Sequence, residues 1–180
     1  VNELCAKKAS AMVPSFCKVL SGPAGLQDLI EVCNADTVFL GVAGVDALMP
    51  LVKAIEMKKT VILANKEALV AAGSIIMRLA KKNEVKILPV DSEQSAIWQC
   101  FEGRDKSELR RVYLTASGGP FKDYSPEQLK GISIKDVLRH PCWNMGKRIT
   151  VDSATLMNKG LEIIEAMWLF ELDLSCLLYT

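Results

Sequence analysis

Short apolar runs alternate with longer segments of helical periodicity in the first half of this chain. The runs occupy residues 37–40, 60–63 and 85–90, and the segments between them carry apolar residues at helical spacing. Strands that alternate with helices in this way are typical of βαβ units, which place their strands in a parallel sheet. The sequence therefore predicts an α/β fold built on a parallel sheet.

Two carboxylates follow the third apolar run directly. Asp91 and Glu93 flank Ser92, and a helical pattern begins immediately afterwards. Ligands of an α/β sheet bind beyond the carboxyl ends of its strands, so a hard cation held by these carboxylates is one interpretation. The other is a helix start, in which Asp91 or Ser92 caps the helix and Glu93 interacts favourably with the helix dipole. Taken alone, the three residues favour the cap.

The second apolar run ends in a similar polar turn, formed by Asn65, Lys66 and Glu67. Three polar side chains at the end of a strand are candidates for ligand contacts. They are equally typical of an Asn turn followed by a capped helix. The residues alone leave both interpretations open.

Consecutive glycines follow a further predicted strand, residues 111–115. Gly118 and Gly119 come directly after Ser117. Small residues expose backbone N–H groups, which can form an anion-binding concavity beside the Ser117 hydroxyl. A plain Gly-Pro turn is the alternative interpretation.

A long helix is predicted to begin at Asp152 or Ser153, either of which is a suitable cap. The predicted core face of this helix consists of Leu156, Leu161, Ile164 and Trp168. Asn158, Lys159 and Glu162 share another face, because they are three or four residues apart. An exposed Lys–Glu pair explains only part of this pattern. Asn158 and Lys159, together with Ser153, can donate hydrogen bonds to a phosphate, while Glu162 offers a carboxylate.

A loop of unusually apolar composition spans residues 140–146. It carries Trp143 and Met145 between a proline and a glycine, so it either packs down permanently or closes over a ligand as a lid. His140 is the single histidine of the chain. A lone histidine is more often a hydrogen-bonded structural residue than a catalyst.

The overall composition limits the possible ligands. A single histidine excludes His-rich metal sites, so any metal is held mainly by oxygen ligands, as magnesium and manganese prefer. The 22 basic and 21 acidic residues nearly balance, which gives no indication of a nucleic-acid partner or an anionic membrane. The six cysteines include no Cys-x-x-Cys pair and indicate a reducing compartment.

Taken together, these motifs resemble the 1-deoxy-D-xylulose 5-phosphate reductoisomerases, a family of the non-mevalonate isoprenoid pathway. The matching segments occur in the family's order and are residues 64–67 (ANKE), 88–93 (LPVDSE), 117–121 (SGGPF), 140–146 (HPCWNMG) and 151–162 (VDSATLMNKGLE). The resemblance covers roughly residues 37–170. It implies a parallel-sheet, Rossmann-like half domain over residues 1–90 that binds NADPH. It also implies an α+β catalytic domain over residues 91–180, with both domains incomplete.

The resemblance further implies roles for individual residues. The implied ligands of magnesium or manganese are Asp91, Glu93 and Glu162. The implied phosphate contacts are Ser117, Ser153, Asn158 and Lys159. Further substrate contacts are Lys66, Ser92 and His140, together with Glu93 and Glu162. The implied catalytic residues are Lys66, Asp91, Glu93, His140 and Glu162. The implied NADPH contacts are Asn65, Glu67 and Gly146, and the lid carries Trp143 and Met145.

The family rearranges the carbon skeleton of its ketose phosphate and reduces the resulting aldehyde with hydride from NADPH, which yields 2-C-methyl-D-erythritol 4-phosphate. The family's Gly-rich Gly-x-Thr-Gly-x-x-Gly turn, which holds the NADPH pyrophosphate, does not occur in this sequence, and residues 171–180 depart from the family pattern. We therefore expect an internal fragment of a longer enzyme, inactive by itself.

The complete protein is expected to act on a small sugar phosphate, as a homodimer in a bacterial cytoplasm or a plastid stroma. Neither a nucleic acid nor a membrane is expected as a partner. The alternative is a non-catalytic truncated paralogue that binds metal, phosphate or a full-length subunit.

Overall fold

The structure is a computed structural model, and it describes residues 3–22, 24–140 and 144–179. The chain forms two compact units that divide between Leu88 and Pro89. The division lies close to the predicted domain boundary after residue 90, while the roles assigned to the two domains stay predictions. No helix within the described ranges is long and apolar enough to cross a membrane.

The first unit alternates helices with the strands of a small sheet. Its elements are α1 (Glu3–Met12), α2 (Gly25–Val32), β1 (Thr37–Leu40), a 3-10 turn (Gly44–Ala47), α3 (Leu48–Glu56), β2 (Thr60–Leu63) and α4 (Glu67–Asn83), and the division from the second unit falls within β3 (Ile87–Pro89). The sheet has the order β1-β2-β3. β1 and β2 run parallel, with Thr37 opposite Thr60 and Leu40 opposite Leu63. The predicted α/β fold with a parallel sheet is therefore confirmed.

Aliphatic residues of α3, α4 and β2 form the core of the first unit. The fully buried large side chains include Leu51, Ile55, Val61, Leu63, Leu69 and Ile76. Burial of each such side chain contributes about 1.5–3 kcal/mol relative to exposure. The strand ends and their polar turns are therefore held by well-packed neighbours.

The second unit has a different organisation, with short helices and a two-stranded parallel sheet. Its elements are α5 (Ser92–Phe101), a 3-10 turn (Lys106–Glu108), β4 (Val112–Leu114), α6 (Pro126–Leu129), α7 (Ile134–Val137), α8 (Lys147–Ala154), α9 (Met157–Phe170), a second 3-10 turn (Leu174–Cys176) and β5 (Leu177–Tyr179). Val112 of β4 pairs with Leu177 of β5. The core joins both strands to α5 and α9, and Phe101 and Phe170 meet edge to face there at 5.5 Å.

The predicted start of the last helix is wrong. Asp152 and Ser153 lie within α8, and neither caps α9. Between the two helices Leu156 adopts a left-handed conformation with φ of +59°, and α9 begins at the next residue. A single left-handed residue ends the first helix and redirects the chain into the second.

The predicted core face of this helix is also wrong. Leu156, Ile164 and Trp168 are exposed, and Leu161 is only partly buried. The buried residues of α9 are Lys159, Glu162, Glu165, Ala166 and Phe170. Charged groups occupy the inward face because hydrogen bonds and ion pairs stabilise them there. The spacing of apolar residues carries no information about such partners.

Candidate metal and substrate site

Three carboxylates of the second unit converge. Asp91 occupies the position before α5, Glu93 lies in the first turn of α5, and Glu162 projects from α9. One ligand oxygen from each lies within 4.8 Å of the other two. Glu162 is buried and the other two are partly buried. The structure therefore brings together the three residues that the sequence suggests as metal ligands.

The capping alternative does not describe Asp91. The residue stands at the N-cap position of α5, but its side chain makes no capping hydrogen bond. Ser92 lies inside the helix, and its hydroxyl donates to Glu93 Oε2 at 2.6 Å. The carboxylates are thus directed to one another rather than to the helix backbone.

Lys159 lies inside this carboxylate cluster. Its Nζ donates to Glu93 Oε1 at 3.0 Å, to a carboxylate oxygen of Glu162 and to the backbone carbonyl oxygen of Thr115. Its side chain is only 7% exposed. A buried ammonium group is tolerated here because each of its three hydrogens has an acceptor.

Glu93 stays ionised at neutral pH. Burial of its carboxyl group opposes ionisation and is the largest single influence. Hydrogen bonds with Ser92, Asp91 and Lys159, and the positive charge of Lys159, together outweigh burial and lower the pKa of Glu93 from 4.5 to about 2. The group is therefore available as an anionic ligand.

Two amide side chains hold Glu162 in place. Asn158 donates to its carboxylate from one turn earlier in α9. Gln94, which is completely buried in α5, donates through Nε2 to the backbone carbonyl oxygen of Glu162 at 2.8 Å. The sequence analysis missed Gln94. Its position next to Glu93 was the only available signal, since its partner lies 68 residues away.

A second group of polar residues surrounds the glycine loop, which consists of residues 117–121. Ser117 Oγ lies 3.2 Å from His140 Nε2 and accepts a hydrogen bond from the Gly119 N–H at 3.3 Å. Gly119 has a φ of +67°, and a Cβ there would lie 2.7 Å from the Ser153 carbonyl oxygen. Only glycine lets the loop approach the end of α8 this closely. Ser117, His140 and the backbone of Ser153 thus lie in one region.

The predicted lid is only partly described. Trp143 lies outside the described residues, as do Pro141 and Cys142. Met145 is partly buried, and Gly146 occupies the N-cap position of α8. Closure of this loop stays a prediction.

The first unit holds the remaining predicted residues. Asn65 is 2% exposed, donates to the carbonyl oxygens of Val42 and Gly44 at 2.8 and 2.9 Å, and accepts from the Ala68 N–H at 2.8 Å. These are the bonds of a structural turn and helix start, so the turn interpretation of Asn65 is confirmed. Lys66 and Glu67 follow at the start of α4 and are partly buried. Contacts with NADPH or substrate stay predictions for all three.

Comparison with known families now identifies the chain. A model of 1-deoxy-D-xylulose 5-phosphate reductoisomerase matches residues 2–73, and a model of the C-terminal domain of the same enzyme matches residues 87–170. The chain belongs to the 1-deoxy-D-xylulose 5-phosphate reductoisomerase family. This result confirms the resemblance seen in the motifs.

Among its relatives, the 1-deoxy-D-xylulose 5-phosphate reductoisomerase of Thermoanaerobacter sp. strain X514 is 53% identical over 156 residues, which are 87% of this chain and 41% of that protein. The reductoisomerase of Chlamydia muridarum is 52% identical over 172 residues, 96% of this chain and 45% of that protein. The chain thus spans less than half the length of these curated relatives.

Solved reductoisomerase structures share the fold. A crystal structure in complex with NADPH, fosmidomycin and magnesium superimposes with a TM-score of 0.86 at 38% identity, over 98% of this chain and 45% of that one. The enzyme from Zymomonas mobilis in complex with NADPH gives a TM-score of 0.89 at 34% identity, over 99% of this chain and 46% of that one.

Proposed function

We propose that this chain carries the metal- and substrate-binding centre of a reductoisomerase. The complete protein converts 1-deoxy-D-xylulose 5-phosphate to 2-C-methyl-D-erythritol 4-phosphate, with NADPH and a divalent metal ion, in the non-mevalonate isoprenoid pathway. The observation that carries the proposal is the convergence of Asp91, Glu93 and Glu162 within 4.8 Å. Family membership and the NADPH and magnesium complexes of related structures support it.

The donor set fits magnesium or manganese. Asp91, Glu93 and Glu162 offer only carboxylate oxygens, and hard divalent cations prefer oxygen ligands. A bound ion supplies charge stabilisation for the carbonyl and alkoxide oxygens of a ketose as its carbon skeleton rearranges. Gln94 and Asn158 hold Glu162 so that the ligand oxygens keep their positions.

Phosphate recognition is assigned to side chains near the glycine loop and the start of α9. The proposed contacts are Ser117, Ser153, Asn158 and Lys159. Binding of a remote phosphate orients the reacting end of a small substrate and contributes to lowering the barrier. His140, Ser92 and Lys66 are proposed as further substrate contacts.

The remaining residues are assigned to cofactor binding and closure. Asn65, Glu67 and Gly146 are proposed as NADPH contacts, and Trp143 and Met145 as the lid that excludes water from an aldehyde. We also propose a homodimer in a bacterial cytoplasm or a plastid stroma for the complete protein. The sequence contains no Gly-x-Thr-Gly-x-x-Gly turn for a pyrophosphate, so we expect the 180-residue polypeptide by itself to bind a metal ion without oxidising NADPH.

A chimaeric enzyme provides the test. Residues 2–170 of this chain replace the matching segment of the Thermoanaerobacter reductoisomerase, and NADPH oxidation is followed with 1-deoxy-D-xylulose 5-phosphate and Mg²⁺. We expect metal-dependent turnover that Glu162→Gln abolishes. A folded chimaera that binds NADPH but shows no turnover, or whose Glu162→Gln variant keeps its rate within a few-fold, contradicts the proposal.

A further inference from the structure

Lys159 bonds two of the carboxylate groups that a metal ion would use. Its ammonium group bonds one oxygen of Glu93 and one of Glu162, two of the three converging carboxylates. Its third donor is taken by the Thr115 carbonyl oxygen. The described protein therefore holds a cation of its own between its candidate metal ligands.

An ammonium group and a divalent cation compete for these carboxylates. The carboxylate oxygens already lie within 4.8 Å of one another, so two cations bound to them would be at repulsive distance in a partly desolvated cluster. We expect the ammonium to leave when a metal ion enters. Asn158 bonds the other oxygen of Glu162 and keeps that bond, so it continues to hold the carboxylate.

The displaced ammonium belongs to the proposed phosphate site as well. Lys159 is one of the four side chains that the proposed function assigns to the substrate phosphate. A metal ion that takes over the carboxylates therefore sets free a positively charged group for the phosphate.

We propose that Lys159 is an exchangeable internal counter-ion that couples the two halves of the site. In the metal-free protein it offsets part of the negative charge of the carboxylates, and a divalent cation displaces it towards a phosphate. Each ligand therefore strengthens the binding of the other, because coupling between two sites is reciprocal. This inference rests on the proposed function for the identity of the two ligands.

Mn²⁺ binding to the 180-residue chain tests the exchange directly. Free Mn²⁺ is measured by electron paramagnetic resonance, with and without inorganic phosphate, for the wild type and for Lys159→Met. Without phosphate, Lys159→Met is expected to bind Mn²⁺ at least about tenfold more tightly, because the internal competitor is gone. Phosphate is expected to tighten Mn²⁺ binding by about fivefold or more in the wild type and by less than about twofold in Lys159→Met.

Matched variants separate the possible outcomes. Lys135→Met removes an exposed lysine of α7 and should leave both Mn²⁺ affinities unchanged. Equal or weaker Mn²⁺ binding by folded Lys159→Met overturns the exchange, as does an equal phosphate effect in both proteins, which would mean that phosphate binds the metal directly. If Lys159→Met does not fold, the wild type alone decides, because an Mn²⁺ affinity that phosphate leaves unchanged also overturns the exchange.

Failure of the proposed function has a different signature. Glu162→Gln should weaken Mn²⁺ binding in the wild-type background and in the Lys159→Met background. Binding that Glu162→Gln leaves unchanged in both shows that the metal site itself is wrong. Binding that depends on Glu162, combined with no effect of Lys159→Met, overturns the exchange and leaves the metal site standing.

Discussion

The turns that follow β2 and β3 carry similar polar residues and use them in different ways. Asn65, after β2, directs its bonds to backbone groups of its own turn and of the start of α4. Asp91 and Glu93, after β3, make no cap and instead meet Glu162 of α9. A buried backbone N–H or carbonyl group must find a hydrogen-bond partner, so a polar side chain next to such a group bonds to it and stabilises the local structure. Where no such group competes, the side chain is available for a ligand.

The largest expected effect is the loss of the site after β3. Glu162→Gln replaces a buried carboxylate ligand with an amide. Changes to residues outside the ligand shell typically reduce metal affinity by about 10- to 100-fold. We expect Glu162→Gln to reduce Mn²⁺ affinity by more than that. Electron paramagnetic resonance on the 180-residue chain measures this loss. Glu102→Gln, an exposed change at the end of α5, is the matched control. Similar losses of Mn²⁺ affinity in both variants would contradict the assignment of the turn after β3 to ligand binding.

Asn65→Ala tests the opposite use of a polar turn residue. The change leaves two buried carbonyl oxygens and the Ala68 N–H without their partner, and we expect the free energy of unfolding to fall by about 2–4 kcal/mol. Urea unfolding measures the difference. Asn34→Ala, at an exposed position, should change it little. Equal stabilities of the two variants would show that the bonds of Asn65 are not structural.

Gly119 tests whether the glycine loop needs a residue without a side chain where it approaches α8. Gly119→Ala combines a positive φ with a contact to the Ser153 carbonyl oxygen, and we expect a loss of about 2–3 kcal/mol in the free energy of unfolding. Gly103→Ala has a similar φ of +72° and open space around it, so it should lose only about 1 kcal/mol. Urea unfolding of both variants isolates the steric part. No difference between them would mean that the loop does not need its close approach to α8.

The smallest expected effect concerns Gln94, which positions Glu162. Gln94→Leu removes the bond that ties α5 to the backbone of Glu162, and we expect Mn²⁺ affinity to fall by about tenfold. The selectivity for Mn²⁺ over the larger Ca²⁺ should fall as well, a change that simple destabilisation does not produce. Gln99→Leu, on the exposed side of α5, is the control. Unchanged selectivity would restrict Gln94 to a structural role.

Much of this molecule follows from local sequence patterns. The alternation of strands and helices, the polar turns after residues 63 and 90, and an oxygen-ligand metal site were all predicted, and the first of these is confirmed. The alternation and the turns depend on neighbours within a few residues, which periodicity and turn chemistry report well. The preference for oxygen ligands follows from the single histidine of the chain. The motifs were also specific enough to indicate the family.

Only the tertiary structure decided how α9 faces the protein. Its apolar residues predicted a core face of Leu156, Leu161, Ile164 and Trp168, whereas Lys159 and Glu162 are buried instead. Glu93, which pairs with Lys159, lies 66 residues from it in the sequence, and Gln94, which bonds the backbone of Glu162, lies 68 residues from that residue. The free energy of burying a charge depends on such distant partners, so no local pattern reveals it. The sequence determined which groups could bind a metal and a phosphate, and the fold decided that Lys159 stands between the metal ligands.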